Sequence, residues 1–236
     1  MCGRYHQHKP REALELMFEI GQVLDDPSLY APRYNIAPTQ RAPVIRALPD
    51  GTRTLEMLQW GLIPRWAKPE TARKDAARAL NARAETAPSR PTFREAVHRR
   101  RCLVPATGFY EWRQTPGAAG VKQPFNLTPA TGVFFAFGGL WETWQPPEGP
   151  SVSTFTIMTC AANADLSDLH DRMPVIVPAT HWSLWLDPRQ TDLAPLAPLV
   201  EPSPTGTVAR ALADPRVNAV RNEGPELLLP PQGLLL

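Results

Sequence analysis

The chain has 236 residues, 43% hydrophobic and 20% charged, with a formal net charge of +2. That balance supplies a core for one large domain or two small ones, and it excludes a histone-like polycation, so any nucleic-acid contact has to be a local patch. No apolar run approaches the ~18 residues of a membrane-spanning helix, and no CxxC or HExxH spacing marks a zinc site.

The three cysteines, Cys2, Cys102 and Cys160, are odd in number and widely spaced. They argue against a disulfide scaffold and for a reducing cytoplasm. The first 30 residues lack a basic segment followed by an apolar one, so no secretory signal is read. The 28 prolines predict many short elements joined by long ordered loops.

In chain order, Met1-Cys2-Gly3-Arg4-Tyr5 comes first. If Met1 is removed, Cys2 carries both an α-amine, titrating near ~8, and a thiol, near ~8.5. A 1,2-aminothiol suits aldehydes, because the amine forms a Schiff base and the thiol closes on the imine carbon to give a thiazolidine. On its own the residue is equally well a small side chain at a position where small side chains are common. Gly3 allows close backbone approach and Arg4 sets a cation beside the nucleophile, as an anionic substrate requires.

Residues 10–20 predict a short amphipathic helix with Leu14, Met17 and Phe18 on one face. Residues 32–40, bracketed by prolines, read as an ordered loop, and its Arg33, Tyr34 and Asn35 form a candidate binding surface. Residues 43–48 and 54–60 read as strands around the Pro49-Asp50-Gly51 turn. In Trp60-Gly61-Leu62-Ile63-Pro64-Arg65-Trp66, Trp60 reads as core and Trp66 as a wall on which a nucleobase stacks.

Residues 67–80 read as a loop with a helical turn. Residues 93–101 read as a helix whose Arg99-Arg100-Arg101 end is solvated and complements the dipole, with a DNA contact as the second reading. Residues 102–105 are a buried strand with Cys102 as a core thiol. In the strand Gly108–Trp112, alternation sets Phe109, Glu111 and Arg113 opposite Tyr110 and Trp112. Glu111 is either a desolvated proton carrier or a rim carboxylate in an ion pair.

Residues 115–122 read as a hairpin-like loop, and 124–127, 133–144 and 154–163 as strands, with Gly138-Gly139 marking a bulge or a close backbone approach. His170 lies in a loop between two carboxylates and an arginine, a setting that tunes its titration. A strand at 175–177 and a short helix at 180–186 follow. The proline-rich stretch 188–206 reads as an irregular surface excursion, and the tail after Gly224 as pinned on the surface. The strand-dominated order without βαβ alternation predicts an α+β fold: a curved, largely antiparallel sheet with a barrel-like core and short peripheral helices.

The motifs Met-Cys-Gly-Arg-Tyr at 1–5, Arg-Tyr-Asn-Ile-Ala-Pro at 33–38, Trp-Gly-Leu-Ile-Pro-Arg-Trp at 60–66, Asn-Ala-Arg-Ala-Glu-Thr at 81–86, Gly-Phe-Tyr-Glu-Trp at 108–112 and His-Asp-Arg-Met-Pro at 170–174 resemble, in order, those of the SOS-response-associated peptidase family of abasic-site processing proteins. The resemblance runs from residue 1 to about residue 228, with 188–206 departing from the pattern. It implies a single domain over 1–236 with 229–236 as a tail, and covalent shielding of abasic sites in single-stranded DNA.

Residue by residue, it implies that Cys2 forms the thiazolidine with the ring-opened sugar and Asn81 holds the amine and the sugar. Glu111 would shuttle protons, and His170 would assist ring opening and Schiff-base chemistry. Arg4, Arg83 and Arg172 would bind flanking phosphates, with Arg33, Asn35, Pro38, Trp66 and Arg90 along the strand's path. No cofactor, metal or membrane enters this reading, and the protein would act as a cytoplasmic monomer, at the nucleoid when bound to DNA. Two rivals are an N-terminal-nucleophile amidohydrolase or cysteine peptidase using Cys2 with His170 or Glu111 as base, and a non-enzymatic single-strand-binding module.

Overall fold

A computed structural model describes residues 3–114 and 122–231. Cys2, most of the expected 115–122 loop and the end of the tail lie outside the described residues. The elements are β1 (Tyr5–Gln7), α1 (Arg11–Phe18), β2 (Gln22–Val23), β3 (Arg33–Ile36), β4 (Arg41–Ala47), β5 (Arg53–Trp60), α2 (Pro69–Arg78), β6 (Asn81–Arg83), α3 (Arg94–Arg99), β7 (Arg101–Ala106), β8 (Gly108–Gln114), β9 (Lys122–Pro129), β10 (Phe135–Trp144), β11 (Val152–Ala161), β12 (Arg172–Pro174), α4 (Trp182–Leu186) and β13 (Val208–Leu212), with short 3-10 turns between them.

Strands β11, β10, β7, β4 and β5 pair antiparallel in that order, and β5 then returns to β11 in parallel through Thr154↔Gln59 and Phe155↔Trp60. The path closes on itself as a five-stranded barrel. A second, antiparallel sheet runs β13-β9-β8-β1-β3. This is the expected α+β, barrel-like architecture, with β6 added in parallel along β11. The apolar runs of β7 and β10 are buried at successive positions, as strands covered on both faces must be.

Gly138 and Gly139 let that double cover form. A Cβ on Gly138 would meet the Trp185 ring at 2.8 Å, and one on Gly139 would meet Cys102 Sγ and the Thr156 carbonyl at 2.9 Å. The ladder runs unbroken through both (Gly138↔Leu103, Gly139↔Cys102), so they mark close approach and not a bulge. Trp185 of α4 is thereby buried against β10, and its indole N–H donates to the Cys102 carbonyl at 2.9 Å.

Several expectations are corrected. Residues 33–36 form a strand and not a loop: β3 pairs with β1, and its polar Asn35 is buried by hydrogen bonds instead of apolarity. Residues 69–78 form a full helix, started by Pro69 and packed through Ala72 and Ala76. In α1, Leu14 and Phe18 are buried but Met17 is exposed.

Arg101 is not a solvated helix end. It lies in β7 and donates to the carbonyls of Val97, His98, Trp185, Asp187 and Gln190, closing the C-terminal ends of α3 and α4, and burial lowers its pKa to about 10. Near 175–177 the pairing falls on β12 and an isolated Ile176–Phe137 bridge. Within 188–206, Leu196 and Leu199 are buried in the core, so the stretch is packed there as well as lying outside. The strand β13 that follows was not foreseen.

His6 joins β1, β9 and the β7–β8 turn. Its Nε2 lies 2.9 Å from Asn126 Oδ1 and its Nδ1 2.8 Å from Thr107 Oγ1. Gly108 is required beside it, since a Cβ there would lie 2.4 Å from the imidazole. Burial holds His6 down to about 3.

Gly139→Ala should destabilise the protein by ~1–3 kcal/mol through overpacking, seen as a lower denaturant midpoint at constant m; an unchanged midpoint would refute the close-approach account.

His6 is depressed from its unfolded value of ~6.5, so its contribution to stability is intact above ~6.5 and is lost at about 1.4 kcal/mol per pH unit as pH falls toward 3. Wild-type stability should therefore drop between about pH 6.5 and pH 4.5, and His6→Asn should flatten that drop. Parallel pH profiles would show that His6 is not responsible.

Candidate functional site

The chain enters the site along β8. Tyr5 pairs with Phe109 and the Tyr110 amide donates to the Arg4 carbonyl at 2.9 Å, so each step back toward Gly3 is a step forward toward Glu111. Alternation works as expected: Phe109 faces the main core, while Tyr110 packs with Ala213 and Val217 on the other side. Glu111 is 4% exposed, with Oε1 sealed from solvent. Burial pushes its carboxyl pKa upward, and Asp171 pushes in the same direction.

The loop carrying His170 is docked onto this strand by charge. Asp168 pairs with Arg113 of β8 at 3.5 Å and with Arg210 of β13 at 2.5 Å. Asp165 accepts from the amides of Gly206 and Val208, and Asn163 donates to the carbonyls of Ser203 and Pro204. His170 Nδ1 accepts from the Arg172 amide at 2.9 Å, and the same nitrogen is 2.7 Å from Asp171 Oδ1. Nδ1 accepts from the amide when the neutral ring carries its proton on Nε2, and donates to the carboxylate when the proton sits on Nδ1 or the ring is protonated. Burial lowers the His170 pKa and favours the neutral form. Asp171 lies within electrostatic reach of both His170 and Glu111.

Asn81 opens β6. The Trp60 indole donates to the Leu80 carbonyl at 2.8 Å and the Leu62 amide to Ala79 at 3.1 Å, which fixes the chain just before it. Asn81 shares with Arg78, Arg83 and Arg90 a groove of about 440 Å³ that also contains Asp75 and Phe93. The sequence reading missed Arg78. Its place depends on helix α2, which sets an arginine in its last turn three residues before Asn81.

The other arginines are engaged. Arg172 forms a two-pronged pair with Glu85 (2.6 and 2.9 Å) and donates to the Thr159 carbonyl at 2.5 Å. Arg33 pairs with Glu223 at 2.9 Å and bonds Gln40 at 2.8 Å. Arg4 donates to Asn35 Oδ1 and to the Val217 carbonyl, both at 2.8 Å, with Trp112 at 5.9 Å. Asn35 is fully buried and its amide donates to the carbonyls of Val217, Ala219 and Asn222. It therefore faces no solvent, and braces Arg4 and the segment behind it.

Pro38 is half-buried, next to Thr39 at φ 71, a left-handed conformation rare for a β-branched residue. Trp60 is core, as expected, and Trp66 is 64% exposed. Its loop is anchored by Trp144 Nε1 on the Ala67 carbonyl at 2.8 Å and by the Ile63 amide on Thr154 Oγ1 at 3.0 Å. Cys102 and Cys160 are both buried, with their thiol pKa values raised by burial. Among the described residues no cluster of His, Cys, Asp and Glu could hold a metal ion, and no helix is long and apolar enough to cross a membrane.

The chain is 37% identical to the abasic site processing protein YoqW of Bacillus subtilis over 97% of its length and 99% of that protein. It is 28% identical to the abasic site processing protein HMCES of Rattus norvegicus over 98% of its length and 76% of that protein. A crystal structure of a protein from Bacteroides thetaiotaomicron superposes with a TM-score of 0.82 at 26% identity, covering 96% of this chain and 99% of that one. The profile of the SOS response associated peptidase (SRAP) family matches residues 1–220, and the chain belongs to that family.

Proposed function

We propose that this protein captures abasic sites in single-stranded DNA as a covalent thiazolidine on Cys2. The observation that carries the reading is the buried carboxyl of Glu111 on β8, the strand along which the N-terminal strand runs antiparallel toward Gly3, with Asp171 in electrostatic reach of it and of His170. An abasic site is an aldehyde in equilibrium with a closed hemiacetal. Cys2 is one peptide bond, ~3.8 Å between Cα atoms, from Gly3.

In this mechanism His170 takes the proton of the hemiacetal hydroxyl as the ring C–O bond breaks and returns it to the departing ring oxygen, which leaves as a hydroxyl. The Cys2 amine attacks the aldehyde carbon to give a carbinolamine, Glu111 protonates its hydroxyl so that water leaves, and the resulting iminium returns its N–H proton to Glu111 to form the imine. The thiol adds to the imine carbon, its proton passes to nitrogen, and the thiazolidine ring closes with net loss of one water. Asn81 holds the amine and the sugar. A missing base offers nothing to read, so affinity comes from phosphates and stacking: Arg4, Arg83, Arg90 and Arg172 for phosphates, with Arg33, Pro38 and Trp66 along the path. The chain acts as a monomer.

The reaction needs a free α-amine, because an amide nitrogen has its lone pair delocalised into the carbonyl. Met1 is thus removed, by an aminopeptidase or by the site itself. Intact mass of purified protein should be one methionine short of the full sequence. A chain shown to retain Met1 that crosslinks at the normal rate would rule out the amine as nucleophile.

A denaturing gel tests the whole reading. Wild type should give an adduct with abasic single strands, less with matched duplex, and none with undamaged strands, while Cys2→Ala should give none. Acylation by amide substrates without such an adduct would favour a hydrolase, and salt-labile binding alone a binding module.

Glu111→Gln should slow single-turnover crosslinking by ~10²–10⁴-fold with little change in DNA affinity. Because the acid form is required, the wild-type rate should fall as pH rises past the elevated Glu111 pKa, and the variant should lose that dependence. Unchanged rates would remove Glu111 from the mechanism.

A further inference from the structure

We infer that the apolar cavity bounded by α3, β11 and the 3-10 turn Ala194–Val200 is a binding site for a neutral, hydrocarbon-like molecule of about benzene size, held by burial alone. No motif of the sequence and no group of the proposed chemistry uses this space.

The cavity measures about 150 Å³. Ala84 after β6, Val97 of α3, Met158 of β11 and Leu196 of the 3-10 turn supply apolar walls, and all four are buried. Trp185 and Arg101 complete the large side chains of the lining, and neither has a hydrogen-bond donor to spare. The Trp185 indole donates to the Cys102 carbonyl, and the five N–H groups of Arg101 go to five backbone carbonyls. The only other polar atom among the lining side chains is the weakly accepting sulfur of Met158.

A water molecule held inside needs two to four polar partners, and these side chains do not provide them. An apolar cavity of about 150 Å³ in that condition stays dry and takes up benzene or xenon. A polar ligand fares no better than water, because a hydroxyl enclosed there loses its hydration and gains no partner. Volume and chemistry therefore agree on one class of occupant.

The walls hold the space open. The 3-10 turn carries Pro195 and Pro198, whose fixed φ resists collapse into the gap. Met158 is fixed from behind by its pairing with Ala82 of β6 and by the Val175 amide on its carbonyl at 2.9 Å. Ala197 lines the cavity and is exposed, which gives a ligand its entrance. That outer wall lies in the stretch 188–206, which departs from the family pattern. Asn81 and Arg83 line the separate groove described above, so the occupant touches neither.

The test uses the full-length protein with benzene as probe and phenol as control, read from isotope-labelled methionine methyl resonances. The Met158 methyl, assigned by Met158→Leu, should move saturably with benzene through the ring current, while that of exposed Met17 stays in place. Phenol, of nearly the same size, should bind at least ~10-fold more weakly. Benzene at about ten times its Kd should shift the folding equilibrium about elevenfold toward the native state, seen as a higher denaturant midpoint at constant m. Ala84→Leu, which fills the space, should lose both responses; should that variant fail to fold, the wild-type methyl shift and the phenol ratio decide alone. A Met158 methyl indifferent to benzene, a shift shared equally by Met17, or phenol binding as tightly as benzene overturns the inference.

Discussion

The structure depends on the seam where β5 meets β11. Two residue pairs close the barrel there, and Trp60 is the side chain at the junction. Its ring stacks at 13° on Phe155 of β11 with centroids 6.3 Å apart, and meets Tyr5 of β1 edge-on at 5.3 Å. Its indole N–H holds the Leu80 carbonyl and its own carbonyl takes the Thr39 amide. One buried aromatic therefore fixes the N-terminal strand that leads to Arg4, the chain before Asn81 and the strained turn beside Pro38. These pieces share no sequence neighbourhood. Their relative positions are as rigid as the packing of that ring, since interiors at crystal-like density leave it no room to shift.

Charge is distributed to match. Around the proton-handling groups the fold uses burial: Glu111 is pushed toward its neutral acid and His170 toward its neutral base. Both shifts move the pair toward the roles of proton donor and proton acceptor. Farther out, carboxylates tie down some arginines, so Arg172 on Glu85 and Arg33 on Glu223 are held in fixed orientation. Arg78, Arg83 and Arg90 remain available on one groove. The contrast separates arginines held in one orientation by a carboxylate from those without an ion pair among the described residues.

Much of this was legible in the residues. Alternation in Gly108–Trp112 gives the correct faces, and the Gly61/Pro64 loop correctly separates a core tryptophan from an exposed one. What could not be read was burial achieved by hydrogen bonding. Asn35, in a proline-bracketed polar stretch, looks like a loop residue, yet three carbonyls and Arg4 satisfy it at zero exposure. Arg101 looks like the end of a basic helix, and five carbonyls bury it. The partners of both residues come from distant parts of the chain, so no local pattern announces them. Helix α2 was missed for the opposite reason: its buried face is two alanines, too little apolar contrast to show a period.

The seam also has a kinetic meaning. Trp60 and Phe155 are roughly 95 residues apart, and their parallel pairing is short. The hairpin of β4 with β5 and that of β10 with β11 are local and can form early, but joining them closes a long loop before any contact across the seam rewards it. The barrel thus closes late in folding, and until it does Trp60 has no Phe155 to stack on and no fixed Leu80 to hold. A chain caught before closure carries every residue of the site and none of its arrangement, so the chemistry appears only with the completed fold.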